Sequence, residues 1–167
     1  MVVEGEENSL IRKGQLLARE EQVYLLMSMA VLLPGKITPE RKLMENKLLL
    51  IDPQGEVISE YFKNRPVPFA ESSVPGDGQV PLISTDFGRI SPVICYDADF
   101  QQLMLQTGRQ GTDILLIPSG DWAAIAPHHS QMAVFRGIEN GCTVVRQVSH
   151  GTSVATDAYG RTLAQMD

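Results

Sequence analysis

The sequence predicts an α/β protein in which helices are layered on a mixed sheet, and three observations carry that reading. Short β-branched apolar runs alternate with segments whose apolar residues recur every three or four positions. Tight-turn signals join some runs as hairpins, while helical stretches separate others. Of the 167 residues, 43% are hydrophobic and 20% charged, which suits one domain over 1–167 with a sizeable core.

The elements follow in order. Over 8–21, Leu10, Ile11, Gly14, Leu17 and Ala18 share one face, so an amphipathic helix is expected with Asn8 or Ser9 as its cap. The apolar run 23–33, closed by Pro34 and Gly35, predicts a strand buried on both faces, and 35–45 a surface loop. Residues 46–51 and 56–62, joined by Asp52-Pro53-Gln54-Gly55, predict a hairpin with Lys63 at its exit. The prolines and glycines of 64–79 exclude regular structure and suit an ordered loop over a site. A second hairpin, 80–84 with 89–95, delivers Cys95.

Beyond it, 100–110 is helical and stopped by Gly111, 113–118 is a buried strand, and 119–127 is a loop holding Trp122. A second helix over 129–140 ends at Gly141, and strands follow at 142–148 and 152–157. The βαβ spacing places neighbouring strands in one buried sheet. Met1-Val2-Val3 begins without a turn and 161–164 reads as an interrupted strand, so a fragment truncated at both ends is expected.

Composition narrows the function. A net charge of -6, with 14 Lys and Arg scattered along the chain, argues against a nucleic-acid partner. Cys95 and Cys142 are too few for a disulfide framework and lack the spacing of a zinc site, so neither metal nor cofactor is expected. No apolar stretch approaches the ~18 residues that cross a bilayer, and the segment with Glu4, Glu6 and Glu7 is no signal peptide. The polypeptide as given is therefore expected to be soluble.

The chemistry centres on Val93-Ile94-Cys95-Tyr96-Asp97. An apolar run leading into a helical segment puts Cys95 at a strand-to-helix turn, where the positive end of the dipole favours a thiolate. The competing reading is a core cysteine closing a strand. Lys63 could stabilise a sulfur anion and an oxyanion, oriented by Glu71 eight positions on; otherwise both are surface charges. Trp122 could line an acyl pocket or plug the core. A couple of Cys95 with His128, His129 or His150 lacks an acidic partner at a telling position, and Arg136 with Glu139 reads as an i to i+3 ion pair.

Four blocks together resemble the nitrilase superfamily of carbon–nitrogen hydrolases. They are Tyr61-Phe62-Lys63 through Pro68-Phe69-Ala70-Glu71; Phe87-Gly88-Arg89-Ile90 through Ile94-Cys95-Tyr96-Asp97; Ile117-Pro118-Ser119 with Asp121-Trp122; and His129, Gln131-Met132-Ala133, Arg136 and Glu139. The Val67-Pro68-Phe69-Ala70-Glu71 ending and the last of these blocks are most similar to the catalytic domain of apolipoprotein N-acyltransferases. Ala70, Asp97 and Gly120 depart from that pattern, which has Gly, Glu and Asn there.

The resemblance implies an α-β-β-α sandwich, with Cys95, Lys63 and Glu71 catalytic, the Tyr96 N–H on the oxyanion and Trp122 at the substrate. It implies a thioester acyl-enzyme resolved by an amine in the acyltransferase branch, whose donor is a phospholipid and whose acceptor is a lipoprotein N-terminus. In the amidase branch the donor is a small amide and water the acceptor. The acyltransferase branch further implies a membrane-bound parent at a bacterial inner membrane, with this domain facing the periplasm; otherwise the setting is cytoplasmic. Helices of the kind expected at 128–141 often pair copies in this superfamily, making a homodimer. The superfamily's general-base glutamate sits at a strand end well before the lysine, and no such block is found here. A third reading is therefore a catalytically silent binding module.

Overall fold

A computed structural model describes residues 2–35, 44–121 and 125–167, which form two compact units, Met1–Asp77 and Gly78–Asp167. In the first, β1 (Val2–Val3) runs directly into α1 (Glu4–Glu21), and the chain returns through β2 (Leu25–Leu32), β3 (Met44–Ile51) and β4 (Val57–Phe62). The sheet order is β1-β2-β3-β4, with β1 parallel to β2 and the other pairs antiparallel. The helix starts four residues before Asn8, because Glu6 and Glu7 suit the positive end of its dipole and extend it toward β1. It packs Leu10 and Ile11, with Met27, on the buried cluster of Met29, Val31 and Leu49. Each fully buried aliphatic side chain there contributes roughly 1.5–3 kcal/mol.

The strand expected to be buried on both faces is not. β2 buries Met29 and Val31 while Ser28 and Leu32 are exposed, a period-two alternation that its uniformly apolar composition hides. Of the expected loop over 35–45, residues 36–43 lie outside the described residues, and Met44 and Glu45 already belong to β3. The hairpin of β3 and β4 forms as expected. Its turn is closed by the Gly55 N–H on the Asp52 carbonyl at 2.9 Å, and the Asp52 carboxylate accepts the N–H groups of Gln54 and Glu56.

The second unit carries β5 (Ile83–Thr85), β6 (Gly88–Pro92), a 3-10 turn over Cys95–Asp99, α2 (Gln101–Gln110), β7 (Ile114–Leu116), β8 (Ser119–Gly120), α3 (Ala126–Asn140), β9 (Thr143–Arg146), β10 (Val148–Ser149), β11 (Ser153–Thr156) and β12 (Thr162–Met166). Its main sheet runs β12-β11-β9-β7-β6-β5, and the central strands β6, β7 and β9 are parallel. Those two parallel steps are the crossovers through α2 and α3. Both helices stop where predicted, at Gly111 (φ 73°) and Gly141 (φ 68°). β8 and β10 form a short parallel ladder where a plain loop was expected over 119–127. Both units are thus α/β with mixed sheets. Among the described residues no helix is long and apolar enough to cross a membrane.

Gly55 has φ 81°, and a Cβ there would stand 2.8 Å from the Gln15 carbonyl oxygen of α1. Gly55→Ala is therefore expected to lower stability by about 1–3 kcal/mol in urea unfolding; an unchanged midpoint would mean that this turn is not held against the helix.

Candidate active site

Cys95 stands at the carboxyl end of the line that β6 begins. The parallel ladder continues past Pro92, with the Val93 N–H donating to the Leu116 carbonyl at 2.9 Å and the Cys95 N–H to the Pro118 carbonyl at 3.1 Å. The chain then turns abruptly, and Cys95 adopts φ 47°, a left-handed backbone that costs a non-glycine residue about 1–3 kcal/mol. Asp97 braces the turn: its N–H donates to the Ile94 carbonyl at 2.9 Å, and its buried carboxylate accepts the Ile94 N–H at 3.3 Å. The helix expected over 100–110 forms as Gln101–Gln110, and between it and the strand the thiol opens one short 3-10 turn, so the N–H groups nearest Cys95 are those of that turn rather than of the helix. The Tyr96 ring lies edge-on to Phe100, with centroids 5.0 Å apart.

The neighbouring strands bring further groups to the same end of the sheet. The ladder from Ile117 through Ser119 to Asp121 is bonded to Val145, Gln147 and Ser149, with the Asp121 N–H on the Ser149 carbonyl at 3.2 Å. The Asp121 carboxylate is fully buried, and both of its oxygens accept from Arg146 Nη2, at 2.9 and 2.8 Å. Arg146, the last residue of β9, also donates from Nη1 to Ser130 Oγ at 3.2 Å. His129, from α3, sets Nδ1 3.1 Å from Asp121 Oδ1 and Nε2 3.4 Å from Asp99 Oδ2. The Cys95 Sγ, a ring nitrogen of His129 and a carboxylate oxygen of Asp121 all lie within 4.8 Å of one another. Outside the carboxyl ends of adjacent parallel strands is where α/β sheets place ligand sites.

These three are also atoms of the kind that metals take. A divalent cation there would face the Arg146 guanidinium that occupies both oxygens of Asp121, so the set fits thiol chemistry better than a metal cage. Burial pushes the Asp99 carboxyl above its ordinary value, opposed by the positive charge of His129, Arg136 and Arg146.

In the first unit Lys63 and Glu71 come together as expected. Lys63 Nζ donates to Glu71 Oε1 at 2.6 Å, and Glu71 Oε2 accepts the Val67 N–H at 3.1 Å. Lys63 is buried, which a lysine tolerates only when paired. Its backbone is clamped by the Lys63 N–H on the Asn46 carbonyl and the Gly76 N–H on the Lys63 carbonyl. The loop returns so closely that a Cβ at position 76 would meet the Phe62 carbonyl, hence glycine there. Of the glutamates ahead of the lysine, Glu7 pairs with the buried Lys47 at 2.6 Å and Glu6 is exposed. Trp122 lies outside the described residues.

Sequence reasoning passed over Asp121, Arg146 and Asp99 and set His129 aside. The signal available was the Asp121 of the third block standing eight residues before His129. Arg136 and Glu139 do form the expected ion pair, at 2.5 Å.

Residues 4–167 match the family model described as Carbon-nitrogen hydrolase. A curated relative, the deaminated glutathione amidase of Synechocystis sp., is 31% identical over 172 residues, covering 90% of this chain and 62% of its own length. Among solved structures, a mutant of the amidase from Nesterenkonia sp. AN1, with the acetamide moiety of fluoroacetamide added covalently at its active-site cysteine, superposes with a TM-score of 0.81. It is 22% identical, and the match covers 95% of this chain and 62% of that one, which shows a shared fold and bears out the expected α-β-β-α class. The expected kinship with apolipoprotein N-acyltransferases is overturned, because the structural neighbours are amidases. Likeness to the Haemophilus influenzae apolipoprotein N-acyltransferase, at 38% identity, spans 54% of this chain and 18% of that protein. The two blocks that suggested it hold the Lys63–Glu71 and Arg136–Glu139 ion pairs. The chain spans less than two thirds of the length of each of these proteins.

Burial pushes the second thiol, Cys142, up to about 11. Because this lies above the ~8.5 of an unfolded cysteine, its contribution to stability is complete below that value and is lost as pH rises toward the folded one. At pH 8, iodoacetamide is expected to modify Cys95 and spare Cys142 by peptide mass spectrometry, and Cys142→Ala to flatten the loss of stability between about pH 8.5 and 11. Equal labelling of both thiols would contradict the burial of Cys142.

Proposed function

Since the chain belongs to the carbon–nitrogen hydrolase family, we propose that it serves as an amidase domain, cleaving the carbon–nitrogen bond of an amide through a thioester on Cys95. One observation carries the reading: a half-buried thiol on a left-handed turn at the end of a parallel strand, with an imidazole and a carboxylate gathered around it. A covalent adduct on the cysteine of an amidase that shares this fold supports it.

The proposed sequence begins as the thiol proton passes to a neighbouring base and the sulfur bonds to the amide carbon, moving an electron pair onto the carbonyl oxygen. The tetrahedral species collapses, the carbon–nitrogen bond breaks, and the departing amine takes a proton. Water then attacks the thioester, releasing a carboxylic acid and restoring the thiol. The Tyr96 N–H is the proposed oxyanion donor, since the first N–H groups of a helical turn have no partner within it. Lys63, oriented by Glu71, is proposed to share that charge, the role the family resemblance assigns to it.

With small aliphatic amides as substrates, Cys95→Ala is expected to lower ammonia release by about 10³-fold or more, and Lys63→Met by about 10²–10³-fold, the usual cost of one oxyanion donor. Hydrolysis surviving in folded Cys95→Ala would sink the proposal.

A further inference from the structure

His129 is held from both sides. Asp121 receives Nδ1 while both of its oxygens also accept from Arg146, so the imidazole edge on that side cannot rotate without breaking a buried network. The opposite nitrogen faces the half-buried Asp99, on the same 3-10 turn as Cys95. A ring that donates through Nδ1 offers only a lone pair at Nε2 when neutral, so the 3.4 Å approach of Nε2 to Asp99 Oδ2 is favourable when the pair holds one proton. The surrounding charges are Asp121, the buried Asp97 of the turn, Arg146 from β9, and Arg136 with its partner Glu139 from α3. Arg146 offsets Asp121 and Arg136 offsets Glu139.

We propose that Asp99 and His129 share a single proton and that this pair is a positioning device for Cys95, setting the pH range over which its thiolate forms. While the pair holds its proton on the ring, the positive charge of the imidazolium lies within 4.8 Å of the sulfur and favours the thiolate without any movement of the ring. Once the proton leaves, that positive charge is lost and the carboxylate of Asp99, on the same 3-10 turn as Cys95, is left unopposed, which disfavours ionisation of the thiol. Neither residue exchanges a bond with substrate. The raised carboxyl of Asp99 agrees with a proton held there in one of the two arrangements. The inference rests on the reading of Cys95 as nucleophile, but concerns the thiol itself and can be measured without turnover.

The test is the rate of Cys95 alkylation by iodoacetamide from pH 5 to 10, on the 167-residue chain, for wild type, Asp99→Asn and His129→Gln, with thermal unfolding to verify folding. In wild type the rate should rise in two steps, as for coupled groups. Asp99→Asn, nearly isosteric and at a partly exposed position, should collapse the profile to one step displaced to higher pH, with a several-fold lower rate at pH 7. His129→Gln should do the same. Profiles superposable on wild type in folded Asp99→Asn overturn the proposal, since a merely structural role would change the melting temperature and leave the profile in place. Should His129→Gln not fold, Asp99→Asn decides alone. A displaced profile in a chain that hydrolyses no amide upholds the pair and removes the amidase reading; an undisplaced profile with amide hydrolysis intact does the reverse.

Discussion

The buried ion pair of Arg146 with Asp121 is the constraint on which the second unit depends. Both side chains are almost wholly out of water, at 2% and 0% exposure, so each ion has given up hydration worth several kcal/mol. Two hydrogen bonds to one carboxylate, with further bonds to Ser130 and His129, offset that loss by satisfying the remaining donors and lone pairs. Such a pair adds little net stability but tolerates no alternative packing, since separating the partners leaves a bare buried charge at a cost of about 3–5 kcal/mol. It ties the ends of two adjacent parallel strands to the start of α3, and so fixes where an imidazole meets a thiol.

The first unit applies the same device with the polarity reversed. Lys47 is buried among Glu7, Glu60 and Glu45, at 2.6, 3.1 and 3.2 Å. Burial lowers its pKa, yet the hydrogen bonds from those carboxylates outweigh burial and leave it above the ordinary lysine value. That cluster joins α1 to β3 and β4. Among the described residues the Lys63 side chain pairs with Glu71 alone, and Glu71 in turn receives the Val67 N–H, so this partner also closes the loop. A lysine with three carboxylates serves as scaffold; one with a single carboxylate keeps ammonium hydrogens for another acceptor.

Much of the fold was legible in the sequence where a local signal decides structure. The Asp-Pro-Gln-Gly turn specified the hairpin of β3 and β4, and Gly111 and Gly141 marked the helix ends because only a left-handed residue closes those termini cheaply. Lys63 and Glu71 could be paired from spacing because both belong to one loop. The remainder was tertiary. Two-residue strands such as β1 and β8 have no periodicity to detect, and they exist because a neighbour offers a ladder. His129 looked unpartnered because Asp99, Asp121 and Arg146 bear no helical spacing to it; only the parallel order of β6, β7 and β9 makes their strand ends converge. The kinship inferred from the blocks around Glu71 and Arg136 did not hold, since the solved structures that share this fold are amidases.

The left-handed backbone at Cys95 has a consequence for how this site can change over evolutionary time. Serine or alanine at that position bears the same strain, so losing the thiol to either recovers none of it. A lineage that abandons catalysis therefore keeps paying for the bent turn unless glycine arrives or the ladder bond to Pro118 gives way. The shape of the site can outlast its chemistry, and an inert descendant would still present an angular, pre-formed notch at the end of its sheet.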